Sequence, residues 1–167
     1  MIGGRILLAA AAIFATGAAG GGPVAALAGR YSETQHLALV SGEEYRADDV
    51  AEIVPVDARH AYLRLALNFY NGHSCSLVGV AQVESDSLVY RGSADDRFAD
   101  GEPCRLAVRR QGTALTWDDA GTCKAHCGAR GSFLNGTLPW KSKRPIRYLE
   151  RLKASTEYRD AIAEWRR

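Results

Sequence analysis

A chain of 167 residues with a formal charge of +2 at pH 7 suits one domain, with length to spare for a targeting segment. So even a charge balance excludes a protein that binds nucleic acid over its whole surface, and no internal repeat or low-complexity linker divides the chain. The four cysteines all lie beyond residue 28, an even number in a chain that opens like an exported one, which points to two disulfides.

The N-terminus reads as a signal peptide over residues 1–28. Met1 to Arg5 carries one positive charge, and Ile6 to Ala28 carries none. Ala26-Leu27-Ala28 offers the small-x-small pattern of a cleavage site, with Gly29 as the first mature residue. The run is long enough to be weighed as a membrane anchor, but its many Ala and Gly residues, Pro23 and the cleavage pattern favour removal. No cysteine follows the site, which argues against a lipid-anchored form, and no integral span is expected after cleavage. The expected location is periplasmic or secreted.

Residues 29–143 read as a disulfide-bonded β domain. His36 to Val40 is a short candidate strand, followed by a loop over Ser41-Gly42-Glu43-Glu44-Tyr45. Ala51 to Val56 looks extended, and Pro55, which has no N–H to donate, assigns it to an edge or a strand end. From Ala61 to Tyr70, Leu63, Leu65, Leu67 and Phe69 alternate with more polar neighbours, the period of a half-buried strand. His73 to Val83 resumes the alternation with Cys75 and Leu77 on one side. A three-residue loop, Tyr70-Asn71-Gly72 with Gly72 left-handed, would pair Leu67 with Cys75 and keep that cysteine on the apolar face. In this reading Tyr62 points to the opposite, solvent face.

Ser87 to Tyr90 is a short returning strand, and Arg91 to Pro103, rich in Gly, Asp and Ser, a mobile loop. Cys104 to Arg109 alternates, turns at Gln111-Gly112 and returns as Thr113 to Trp117. A last strand is expected within Phe133 to Leu138. From Arg144 the period changes: Pro145 can open a helix, and the apolar residues from Ile146 to Trp165 fall at helical spacing, interrupted at Ser155-Thr156. Residues 144–167 thus form an amphipathic C-terminal segment, packed on the domain or docking from it. The fold class is mainly β, a small antiparallel barrel or sandwich with a C-terminal helical segment.

The motifs that carry chemistry are missing. The four histidines are scattered, and no nucleophile elbow, zinc-protease motif or phosphate-cradling loop occurs. The reading is therefore not an enzyme, with no catalytic residue, cofactor or metal. His126 between Cys123 and Cys127 raises a zinc site, but the spacing lacks the Cys-x-x-Cys or His-pair pattern that metal requires. Cys75, Cys104, Cys123 and Cys127 are read as disulfide partners. Three connectivities are open, and the flanking of the second hairpin favours Cys104 with Cys123, leaving Cys75 with Cys127. Arg130, set between small residues, can fork onto backbone carbonyls at home or reach a partner's carboxylate. Nine of the Lys and Arg residues fall between Lys141 and Arg167, which offers a second reading as contact with an acidic surface or lipid headgroups.

Cysteines in strands, the run Cys123-Lys-Ala-His-Cys127-Gly-Ala-Arg-Gly-Ser-Phe133 and the export signal together resemble small exported bacterial proteins related to periplasmic lysozyme inhibitors and lysozyme-inhibitor lipoproteins. Ser41-Gly42-Glu43-Glu44-Tyr45 is similar to the Ser-Gly-x-x-Tyr loop that periplasmic inhibitors of c-type lysozyme insert into the enzyme's cleft. The companion lysine-bearing motif of those inhibitors is absent. What the resemblance implies is a non-catalytic binding module with a protein partner in the cell envelope, lysozyme among the candidates, and Ser41, Gly42, Tyr45 and Arg130 as contact residues. The alternative is a structural envelope protein that docks through its basic C-terminal segment. No nucleic-acid partner is expected.

Overall fold

A computed structural model describes residues 22–167. The leader expected over residues 1–28 lies outside the described residues up to position 21.

Eight strands follow one another around a single antiparallel sheet: β1 (Gly29–Ala38), β2 (Glu44–Pro55), β3 (His60–Asn68), β4 (Ser74–Glu84), β5 (Ser87–Arg91), β6 (Arg105–Gln111), β7 (Ala114–Asp118) and β8 (Gly136–Pro139). The sheet curls into a nearly closed barrel. Its seam, between β8 and β1, is bridged by the chain after β8: Arg30 and Arg144 exchange backbone hydrogen bonds of 2.9 and 2.8 Å. Alternation aims Leu63, Leu65, Leu77, Leu106, Leu115 and Leu138 into the interior, where all are fully buried. The curl lets a chain this short bury one continuous core, although among the described residues only Arg30 and the Ser32 N–H, which donates to Ser142 Oγ, bond across the seam and the rest of the outer edge of β1 carries no ladder.

The β3–β4 hairpin has the register expected from the sequence, with Leu67 opposite Cys75 and Leu65 opposite Leu77. Its turn places Asn71 at φ 60° and Gly72 at φ 70°, both in the left-handed region. The disulfides are Cys75–Cys127 and Cys104–Cys123. Both mark a chain that folds in an oxidising compartment outside the cytoplasm.

Three expectations are corrected. The first hairpin is much longer than a strand at 36–40 and another at 51–56: β1 pairs with β2 from Gly29 opposite Ile53 up to Ala38 opposite Glu44. Its upper half exposes Glu33, Thr34, Asp48 and Arg46, so neither face shows an apolar alternation there. Secondly, Pro145 opens no helix. After a 3₁₀ turn at Trp140–Ser142 the chain runs without regular structure to a turn at 147–148, and the α-helices are α2 (Leu149–Lys153) and α3 (Thr156–Trp165), with α1 (Pro23–Leu27) near the other end of the described chain. The break between α2 and α3 is set by Ser155, whose side chain accepts the Tyr158 N–H at 3.2 Å as an N-cap.

Thirdly, Tyr62 is not on a solvent face. The C-terminal segment lies across the outside of β2–β4, where Leu152 and Ala161 bury Val54 and Tyr62 in a second, smaller core. A polar staple sits beside it. Glu52, only 1% exposed, accepts a hydrogen bond from the Tyr148 hydroxyl and one from Arg64 at 3.3 Å, and Arg64 reaches Glu157 of α3 at 3.5 Å. The apolar stripe of residues 144–167, apart from the exposed Trp165 near its end, is thus covered by the barrel itself. Among the described residues no helix is long and apolar enough to cross a membrane.

Candidate functional site

In an up-and-down sheet the connections alternate between the two ends. Turns at 56–59, 85–86 and 112–113 close one end tightly, whereas 39–43, 69–73, 92–104 and 119–135 all emerge at the other. Both disulfides lie at that long-loop end. Cys75–Cys127 ties the start of β4 to the last loop, and Cys104–Cys123 ties the last loop to the start of β6. The loops are anchored as well as crowded.

Lys124 organises the glycine-rich stretch. Its ammonium donates to the carbonyls of Gly128, Ala129 and Gly131, each at 2.9 Å, so the backbone wraps around a half-buried cation. Gly131 is required by proximity: a Cβ there would lie 2.7 Å from the Cys75 Sγ. Asp119 is 3% exposed and accepts the backbone N–H groups of Cys123 and Gly121, while Asp118 accepts those of Ala120 and Asn135. These are Asx-type turn bonds that fix the loop's entry and exit.

The 92–104 loop, read from the sequence as mobile, is fastened by Asp96. One carboxylate oxygen accepts from the Tyr90 hydroxyl at 2.8 Å, and the other meets His126 Nε2 at 2.7 Å. Burial, and then this hydrogen bond to Asp96, raises the Tyr90 hydroxyl far above its ordinary range, so it remains a neutral donor. Asp96, Cys104 and His126 converge closely enough to suggest a metal, but the Cys104 sulfur is consumed in a disulfide and the two remaining groups bond each other. The Asp96–His126 pair resembles half of a catalytic triad. Among the described residues, however, His126 has no hydroxyl or thiol nucleophile bonded to it, and the arrangement acts as a clasp between two loops.

A second tie joins the first two loops. The Tyr45 hydroxyl donates to the Phe69 carbonyl at 3.0 Å and accepts the Gly72 N–H at 2.9 Å. The Val40 N–H donates to Asn71 Oδ1 at 3.1 Å. An open groove of about 420 Å³ runs beside them, lined by His36, Glu44, Tyr45, Arg46 and Tyr70. Inside the upper wall, burial raises the Asp49 carboxyl above the usual carboxylate range despite the hydrogen bonds it accepts from Asn68 and Gln35.

The sequence-derived contact residues therefore share one end but differ in availability. Ser41 and Gly42 are exposed at a loop tip, with Gly42 at φ 88°. Tyr45 is half-buried, and its hydroxyl works within the protein. Arg130 is exposed and, among the described residues, forms no ion pair; carbonyl capping, one of the two uses weighed for it, belongs to Lys124. What the sequence reading missed are the tips. Val40, Tyr70, Phe98 and Leu134 are at least half exposed, and they make up four of the five large exposed apolar side chains among the described residues. A lone phenylalanine in a Gly-Asp loop, as at Phe98, was the signal available. Over 39–43, 69–73, 92–104 and 119–135 this end carries six carboxylates against three Lys or Arg side chains, whereas 139–167 carries four against nine. Negative charge therefore predominates in the long loops and positive charge in the C-terminal segment.

Comparison with protein-family models, curated proteins and solved structures finds no match.

Proposed function

We propose that this chain is a non-catalytic binding module of the periplasm or extracellular space, which recognises a basic protein through its long-loop end. The observation that carries the reading is the concentration there of anchored long loops, exposed apolar tips and excess negative charge. Rigid scaffolds commonly present recognition on loops, and apolar anchors ringed by complementary charge are how such surfaces gain affinity and specificity. A c-type lysozyme, a basic enzyme with a cleft, is the partner class that this chemistry and the Ser41–Tyr45 loop favour together.

The competing reading, docking through residues 144–167, loses most of its apolar half because that stripe, Trp165 excepted, is covered by the barrel. Only the outward basic charge would be left to act.

The test is turnover of cell-wall substrate by c-type lysozyme with a molar excess of the protein. Inhibition is expected, weakening as salt rises and falling at least about tenfold in Val40→Asp and Phe98→Asp, whose side chains are exposed and whose removal leaves the core intact. Tyr45→Phe should weaken it less, through loosening of the tie to Phe69 and Gly72. Absence of inhibition by the wild-type protein removes the lysozyme reading, and inhibition unchanged in both tip variants moves the contact away from the loop end.

A further inference from the structure

The best leader-peptidase pattern by sequence ends at Ala28, yet the residues just before it belong to the fold. Pro23 sits in the first turn of α1, where its missing N–H costs nothing. Val24 and Leu27 are each 3% exposed and pack in the main core, at the end of the barrel opposite the long loops. The buried Tyr31 hydroxyl donates to the Leu27 carbonyl at 2.8 Å, and the Lys143 ammonium donates to the Ala26 carbonyl. Gly29 follows at φ 143°, with room for a Cβ denied by the Arg144 carbonyl at 3.1 Å. Cleavage after Ala28 would strip two core side chains, uncover the barrel's floor and leave the Tyr31 hydroxyl without its acceptor.

We propose that the chain is instead cut upstream, within the small-residue run Ala18–Gly22, and that Pro23–Ala28 is kept as the plug of the mature barrel. This rests on the reading of the protein as exported. The sequence supports an upstream site on its own terms. Ile6 to Phe14 is an apolar run of nine residues, of the length a leader needs, and Gly17 and Ala19 supply a small-x-small pair soon after it. The pattern ending at Ala28 lies fourteen residues beyond Phe14. The step is hydrolysis of one peptide bond by a membrane leader peptidase. Water supplies the hydroxyl of the leader's new carboxyl terminus and the hydrogen of the mature chain's new amine.

Two measurements test it. The full chain is produced in a bacterium, fractionated, and the exported protein weighed intact; the expected N-terminus falls between Ala19 and Pro23. A mature chain starting at Gly29, or an exported chain that stays uncut, overturns the proposal, and a chain left wholly in the cytoplasm overturns both the proposal and the export reading. Independently of export, chains begun at Gly22 and at Gly29 are refolded under oxidising conditions and melted. Loss of the plug should lower Tm by about 10 °C or more, or prevent folding. Equal Tm values refute the plug even if processing proves to be upstream, and neither result bears on what the loop end binds.

Discussion

Substituting Tyr62 isolates what the C-terminal segment contributes to the barrel. Its ring is fully buried between β3 and the helices, 4.7 Å from the Tyr158 ring, and its hydroxyl is buried without a hydrogen-bond partner among the described residues. Burial also pushes the hydroxyl's pKa upward, so it stays protonated at any working pH. An unsatisfied buried hydroxyl costs about 1–3 kcal/mol, and removing the oxygen forfeits a few tenths in dispersion, so Tyr62→Phe should stabilise by about 1 kcal/mol. Tyr62→Ala removes the ring and should cost about 3–5 kcal/mol. Urea unfolding reads both, as a higher and a much lower midpoint at unchanged slope. Because Leu152 packs in the same cluster, a double-mutant cycle with Leu152→Ala should show coupling of about 0.5–3 kcal/mol. A loss of 1 kcal/mol or more in Tyr62→Phe would mean that the hydroxyl is satisfied. A small loss in Tyr62→Ala with no coupling would mean that the helices do not cover this face.

Replacing Cys75 and Cys127 together by Ser releases a tie across 52 positions, which loop entropy values at about 4 kcal/mol, against about 3 kcal/mol for the 19-position Cys104–Cys123 tie; urea midpoints of the two double variants should fall in that order. Asp49 has its pKa raised in the folded state, so its contribution to stability is full below the unfolded carboxylate pKa of about 3.9 and is lost as pH rises through the folded value. Asp49→Asn should therefore flatten the acid side of the stability profile, and a wild-type profile that falls no more steeply with pH than the variant's refutes the assignment.

How far the sequence carried depends on where side chains face. The β3–β4 hairpin was legible to the register because one of its faces is wholly apolar and a one-residue slip would have turned Cys75 out of the core. Of the three disulfide pairings the sequence leaves open, the structure holds the one the second hairpin favours, in which Cys104 joins Cys123 and Cys75 joins Cys127. The first hairpin was only half legible: where β1 and β2 rise above the core both faces meet water, and the alternation that marks a strand vanishes. Tyr62 was misassigned for the reverse reason. Leu-x-Leu alternation on β3 looks the same whether the second face meets solvent or a helix laid across it, and the helix that covers it lies about ninety residues away in sequence. At the loop end the glycines and cysteines are legible in the sequence but the clasp is not. Tyr90, Asp96 and His126 are brought together only by strand order, through side chains spread over 36 positions.

The asymmetry of the barrel bears directly on how such an end could recognise anything. Long loops normally surrender conformational entropy on binding, a cost that grows with each side chain and backbone segment newly ordered. Here that ordering is already present in the free protein: two disulfides, the Lys124 cap, the Asp96 clasp and the Tyr45 tie restrain the backbone of all four loops, while the side chains at their tips remain exposed. A surface fixed in this way presents its charge and its apolar tips as separate contributions. On the proposed reading the carboxylates would act at a distance and govern the rate of encounter with a basic partner, whereas Val40, Tyr70, Phe98 and Leu134 would act only in contact and govern how long the complex lasts. Salt should then slow association without shortening the lifetime of the bound state, and truncating a tip should do the opposite. A flexible loop end would mix the two, because each loop would have to be ordered before either its charge or its apolar tip could act.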